Sequence, residues 1–95
     1  MKGYVVCVYK NITNEEKLKE YAFKARVAVE KYEGKFLIRG GRSTSNEGEK
    51  SPRTVVIEFP SYDEANNFYM SKEYQDAHSI LKGHAERQHQ TIEGA

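Results

Sequence analysis

The stretch YVVCVY, Tyr4 to Tyr9, decides the fold. It is an unbroken run of β-branched and aromatic residues, closed by Asn11 and Thr13. Side chains alternate between the two faces of a strand. Tyr4, Val6 and Val8 therefore project to one side, and Val5, Cys7 and Tyr9 to the other. Both sets are apolar. The pattern is that of a strand covered on both faces, not one that alternates with solvent.

Working outward, Thr13-Asn14-Glu15-Glu16 fits a capping box, with the Thr13 hydroxyl as cap and Glu16 reaching back. Leu18, Tyr21, Ala22, Ala25, Ala28, Val29 and Tyr32 then recur at steps of three and four. They predict a helix over about residues 14–33, with Gly34 as its left-handed end. Lys35 to Arg39 is a second strand and RTVVIEF, Arg53 to Phe59, a third; Gly40 to Pro52 is a long polar connection between them. Pro60 breaks the third strand, and Ser61-Tyr62-Asp63-Glu64 is a second capping box. Ala65, Phe68 and Tyr69 give the helix that follows its apolar face. Ser71 caps a further helical segment in which Tyr74, Ala77, His78 and Leu81 share a side, and Gly83 ends it. The tail HAERQHQTIEG falls where a fourth strand belongs, and its polarity suits an edge strand.

The order β-α-β-β-α-β predicts an α+β, ferredoxin-like domain over residues 1–95: an antiparallel four-stranded sheet with two helices on one face. Those helices roof one side only. Val55, Ile57 and Phe59 share one face of the third strand, with Thr54, Val56 and Glu58 on its reverse. The second face also needs cover, so a homodimer with sheets face to face is expected, burying roughly 800 Å² per partner.

Composition narrows the function classes. Fifteen Lys and Arg are interleaved with fourteen Asp and Glu, which leaves no basic stripe for nucleic acid. No apolar run approaches the ~20 residues of a membrane span. Met1-Lys2-Gly3 leads at once into a strand, without a signal-peptide pattern. The single cysteine points to a reducing, cytoplasmic setting.

Three motifs, GGR after the second strand, RTVVIEFPS around the third and YMSKEYQ in the second helical region, resemble the domain-of-unknown-function-1330 family. The resemblance covers about residues 2–94. It implies a ferredoxin-like protomer pairing into a dimeric α/β barrel, and no established activity. The wider superfamily includes cofactor-free monooxygenases, haem-degrading enzymes and isomerases, an analogy at the level of fold. Members often carry an arginine late in the second helical region, where Leu81 and Lys82 stand here. Their last strand is usually more apolar than ERQHQTI.

Several residues are candidates for chemistry. Arg39-Gly40-Gly41-Arg42 lacks what a nucleotide loop requires after its glycines, and reads as a hairpin corner that aims a guanidinium at a pocket rim. Arg39 and Arg53 start and end the connection at the same sheet end and could grip a small anion. Glu58, inside an apolar strand, needs a partner; Lys35 falls across from it if Arg39 opposes Thr54, and a bulge would change that register. It is expected as a structural ion pair, or as a general base or ligand anchor. His78 beside Tyr74 suits either helix–sheet packing or proton transfer. Tyr69 and Tyr74 could line a pocket under the second helix. Cys7 reads as an inert filler, and His84 and His89 lack metal-ligand spacing.

Three functions compete. The first is a dimer binding a small anionic, aromatic or carbonyl ligand, between sheet and helices or at the dimer interface, with Arg39 and Glu58 as anchors of an inter-sheet pocket. The second is a cofactor-independent enzyme using Glu58, His78 or Tyr74 for protons and Arg39 or Arg53 for an oxyanion. The third is a dimer that scaffolds other proteins. No redox cofactor, haem ligand or metal is implied.

Overall fold

The computed structural model describes all residues, 1–95. Strand β1 (Gly3–Ile12) is followed by α1 (Glu15–Lys31), β2 (Lys35–Arg39), β3 (Thr54–Phe59), α2 (Tyr62–Met70), α3 (Lys72–Leu81) and β4 (Ala85–Glu93). The four strands form one sheet in the order β2-β3-β1-β4, with every neighbouring pair antiparallel. This is the ferredoxin-like arrangement, and YVVCVY lies at its centre, flanked by β3 and β4. The polar tail is an edge strand along β1.

The helices cover one face. Val5, Cys7 and Tyr9 from β1 and Val55, Ile57 and Phe59 from β3 are buried beneath them with Phe68, Tyr74, Ala77 and Leu81. The reverse face is open. Tyr4, Val6, Val8 and Val56 are half-buried there, and Ile38 and Ile92 are 47% and 45% exposed.

Local chemistry explains the element ends, with two corrections to the expected caps. Asn14, not Thr13, caps α1: its Oδ1 accepts the Lys17 N–H at 3.0 Å, while the Thr13 hydroxyl donates to the His84 carbonyl. The left-handed residue after α1 is Glu33, with φ 60°, not Gly34. Gly34 is required for space instead, since a Cβ there would lie 2.7 Å from both Phe59 and Val29. Ser61 caps α2 as expected, accepting the Glu64 N–H at 3.1 Å. Ser71 divides the second helical layer into α2 and α3: its hydroxyl donates to the Phe68 carbonyl and accepts the Tyr74 N–H. An ion pair between Lys31 and Glu73 ties α1 to α3, and α1 leans on α3 more closely than on the sheet.

Candidate functional site

That lean leaves a space. Between α1 and the sheet lies a cavity of about 490 Å³, within the range of small-molecule sites. Its roof is α1, where Ala22 and Ala25 present single methyl groups and leave the volume unfilled. Its floor is the helix-side face of β1 and β3, with Val5, Cys7, Tyr9, Val55 and Ile57.

The cavity ends at Arg87, on β4 directly opposite Tyr9. The Arg87 guanidinium donates from Nη1 to the Tyr21 hydroxyl at 2.9 Å and the Tyr9 hydroxyl at 3.3 Å, and from Nη2 to the Tyr74 hydroxyl at 2.7 Å. Nη1 also lies 3.5 Å from the Cys7 sulfur. Tyr21 and Tyr74 share a further hydrogen bond at 2.9 Å. None of the four ion pairs in the protein involves Arg87. A largely buried cation here faces only neutral oxygens and a thiol. Burial is the largest effect on its charge and works against it; the opposing pull of Tyr21, Tyr74 and Cys7 is mainly that of their ionised forms.

Proton accounting sharpens the picture. Arginine only donates. Of the three tyrosine O–H groups, one is consumed between Tyr21 and Tyr74. The Tyr9 proton and one proton of that pair find no acceptor in the cluster. All three phenols stay protonated at neutral pH: burial pushes Tyr9 up to about 12 and Tyr21 and Tyr74 upward as well. Burial likewise raises the Cys7 thiol, against the pull of Arg87 and Arg53, so the sulfur is not a poised nucleophile. His89, one row along β4, is held down to about 3 by burial, then by Arg87 and His78, and is a neutral imidazole. The cluster thus offers one positive charge and two unspent donors, and no anion.

The expected site residues divide between the two faces. Tyr74 is in the Arg87 cluster, His78 stacks on its ring with centroids 6.0 Å apart, and Tyr69 packs against both Tyr74 and His89. His78 and Tyr69 line a second, more open hollow of about 440 Å³ on the other side of Arg87. Arg53 and Arg39 line the first cavity at its β2–β3 end. Gly40 has φ 75° and makes room for Arg53, since a Cβ there would lie 3.1 Å from Nη1; Gly41, also left-handed, has no such neighbour and lies outside the cavity wall.

Glu58 stands apart on the open face. Lys35 is its partner on β2, as the spacing predicts, but the carboxylate accepts the Tyr4 hydroxyl at 3.3 Å and makes no ion pair. Arg39 does not share its face. A bulge at Leu37 shifts the register between Phe36↔Ile57 and Ile38↔Val56, so Arg39 faces Val55, not Thr54, and turns to the helix side. An inter-sheet pocket anchored jointly by Arg39 and Glu58 is thereby corrected.

Arg87, Tyr9 and Tyr21 are absent from the sequence-based candidates. The available signal was parity: in β4, Arg87, His89 and Thr91 alternate with Glu86, Gln88 and Gln90, and the first set is the less exposed. The cluster joins four elements far apart in the chain, which no local pattern displays.

No relative was found among curated proteins. Solved structures do match. A protein of unknown function from Rhodopseudomonas palustris superposes with a TM-score of 0.78 at 12% identity, covering 99% of this chain and 82% of that one. A dimeric ferredoxin-like protein of unknown function from Jannaschia sp. CCS1 gives 0.78 at 12% identity, covering 99% and 100%. A dimeric protein of unknown function and ferredoxin-like fold from Bacteroides fragilis gives 0.57 at 19% identity, covering 98% and 96%. At these identities the likeness concerns the fold. The family model described as a domain of unknown function, DUF1330, matches residues 2–95, and the chain belongs to that family.

Proposed function

We propose that the protein is a homodimer, paired through its open sheet face, that binds a small anionic and partly apolar molecule in the cavity between α1 and the sheet. The carrying observation is Arg87: a largely buried guanidinium with no carboxylate, fanned onto three tyrosine hydroxyls at the end of an apolar cavity. A buried charge without an opposite charge is costly, and a carboxylate or enolate bound there would remove that cost and accept the two unspent protons. The dimeric state is supported by the apolar open face and by the two dimeric neighbours. A reducing compartment such as the cytoplasm suits the free, buried Cys7.

Titration calorimetry with 4-methylbenzoate tests the reading. A charge-assisted hydrogen bond contributes about 1.5–3 kcal/mol, so Arg87→Met should weaken binding by roughly 10- to 150-fold. Equal affinity in wild type and Arg87→Met would contradict the proposal.

A second reading, proton transfer, belongs to the second hollow, where His78 and Arg87 share the lining and the His78 ring stacks on Tyr74. The Tyr74 hydroxyl is held by Arg87, and the His78 ring lies parallel to its ring. Burial, then Arg87 and Lys82, lower the His78 pKa and favour its neutral form, the form that can accept a proton.

A further inference from the structure

The cavity carries more positive charge than one carboxylate needs. Glu15 is the single acidic residue on its wall, against Lys19, Arg26, Arg39, Arg53 and Arg87. Arg26 is paired with Glu30, but Arg39, Arg53 and Arg87 have no carboxylate. The Arg53 Nε is buried and has no hydrogen-bond partner at all.

These three guanidiniums are not scattered. The Tyr9 N–H donates to the Arg53 carbonyl on one side, and Arg87 is the register partner of Tyr9 on the other. Arg53, Tyr9 and Arg87 therefore form one row across the sheet. The next row is Arg39, Val55, Cys7 and His89. Cations stand at both ends of this floor, with the apolar Val55, Cys7 and the Tyr9 ring between them. Arg53 and Arg87 are two strand spacings apart, roughly 10 Å at the backbone.

We infer that the ligand is a two-ended anion: a small molecule with an apolar or aromatic middle and an acidic group at each end, one on Arg87 and its tyrosines, the other on Arg53 and Arg39. This inference rests on the ligand-binding reading above and specifies its substrate class. The one carboxylate on the wall, Glu15, is outnumbered by Lys19, Arg26, Arg39, Arg53 and Arg87, so a molecule whose second end is an ammonium is disfavoured by charge.

The test compares terephthalate with 4-methylbenzoate, which match in ring and length and differ in one carboxylate. Terephthalate should bind wild type at least 10-fold more tightly. In Arg53→Met the preference should fall to within about 2-fold while 4-methylbenzoate still binds. Arg39→Met, at an exposed position, should reduce the preference in part and guards against a folding defect in the Arg53 variant. If both compounds bind wild type equally, or if neither Arg53→Met nor Arg39→Met alters the preference, the two-ended inference is overturned and single-anion binding stands. If neither compound binds, both readings fall.

Discussion

The two faces of the central strand have the same residue types and different fates. On the helix side, Val5, Cys7 and Tyr9 floor a cavity that ends in a cluster of Arg87, three phenols and a neutral histidine. On the open side, Tyr4, Val6 and Val8 meet Val56, Ile38 and Ile92, and the polar features include the Tyr4–Glu58 hydroxyl–carboxylate pair, Lys35 opposite Glu58, Thr54, and glutamines towards the β4 edge. A broad, mainly apolar face with its charges near the β2 side suits a protein contact. An apolar cavity with an unbalanced charge suits a small ligand. On the proposed function, one strand thus separates assembly from recognition by parity alone.

The strongest way to break that division is to place a charge on the assembly side. Val6→Asp puts a carboxylate at the middle of the open face, where the proposed partner would bury it. Sedimentation velocity should show the dimer dissociation constant raised at least 100-fold, about 2.7 kcal/mol. The cavity should keep its affinity for 4-methylbenzoate. A variant that stays dimeric and loses ligand would reverse the assignment of faces.

Arg87→Met separates function from stability on the other side. An apolar residue of similar length removes a buried charge that lacks an acid, so the ligand-free melting temperature should hold or rise. The melting shift induced by an aromatic carboxylate should vanish. A melt lowered equally with and without ligand would mark the guanidinium as a structural tie.

Acid pH probes the same cluster. His89 protonates near its ordinary value, about 6.5, when unfolded and only near 3 when folded. Its contribution is intact above about pH 6.5 and is lost as pH falls below it, because the unfolded state takes up a proton that the folded state refuses. At pH 5 the loss is about 2 kcal/mol relative to pH 7. His78 acts with the same sign over the same range. His89→Gln should flatten the decline between pH 6.5 and 5 in urea titrations.

Two smaller substitutions sharpen the contrast. Tyr21→Phe removes one acceptor of Arg87 and one phenol–phenol bond, and should cost about 1 kcal/mol of folding stability. Glu58→Gln keeps an acceptor for Tyr4 and should change the melt by less than about 0.5 kcal/mol, with no effect on ligand affinity.

Sequence and structure agree where the signal is local or periodic. The apolar run of β1, the stripe of α1 and the Ser61 cap each follow from spacing, and the unroofed face follows from counting helices. Local rules failed where two solutions were equally cheap. Asn14 and Thr13 both can cap a helix, and tertiary bonding of Thr13 to His84 decided between them. Arg39 depended on a bulge that no residue type marks in advance, at Leu37, which moved it to the opposite face. The Arg87 cluster stayed hidden because β4 has almost no apolar residue to mark its inner side, and because Tyr21 reads as core bulk until its hydroxyl is seen to meet Tyr74 across the helices.

Methyl NMR on the valines and isoleucines tests the division of faces most directly, since alternate residues of one strand report opposite sides. Adding 4-methylbenzoate should shift the methyl resonances of Val5, Val55 and Ile57 and leave those of Val6, Val8 and Val56 in place; dilution should do the reverse. Ligand-induced shifts centred on Val6, Val8 and Val56, with Val5 and Val55 unmoved, would contradict the account.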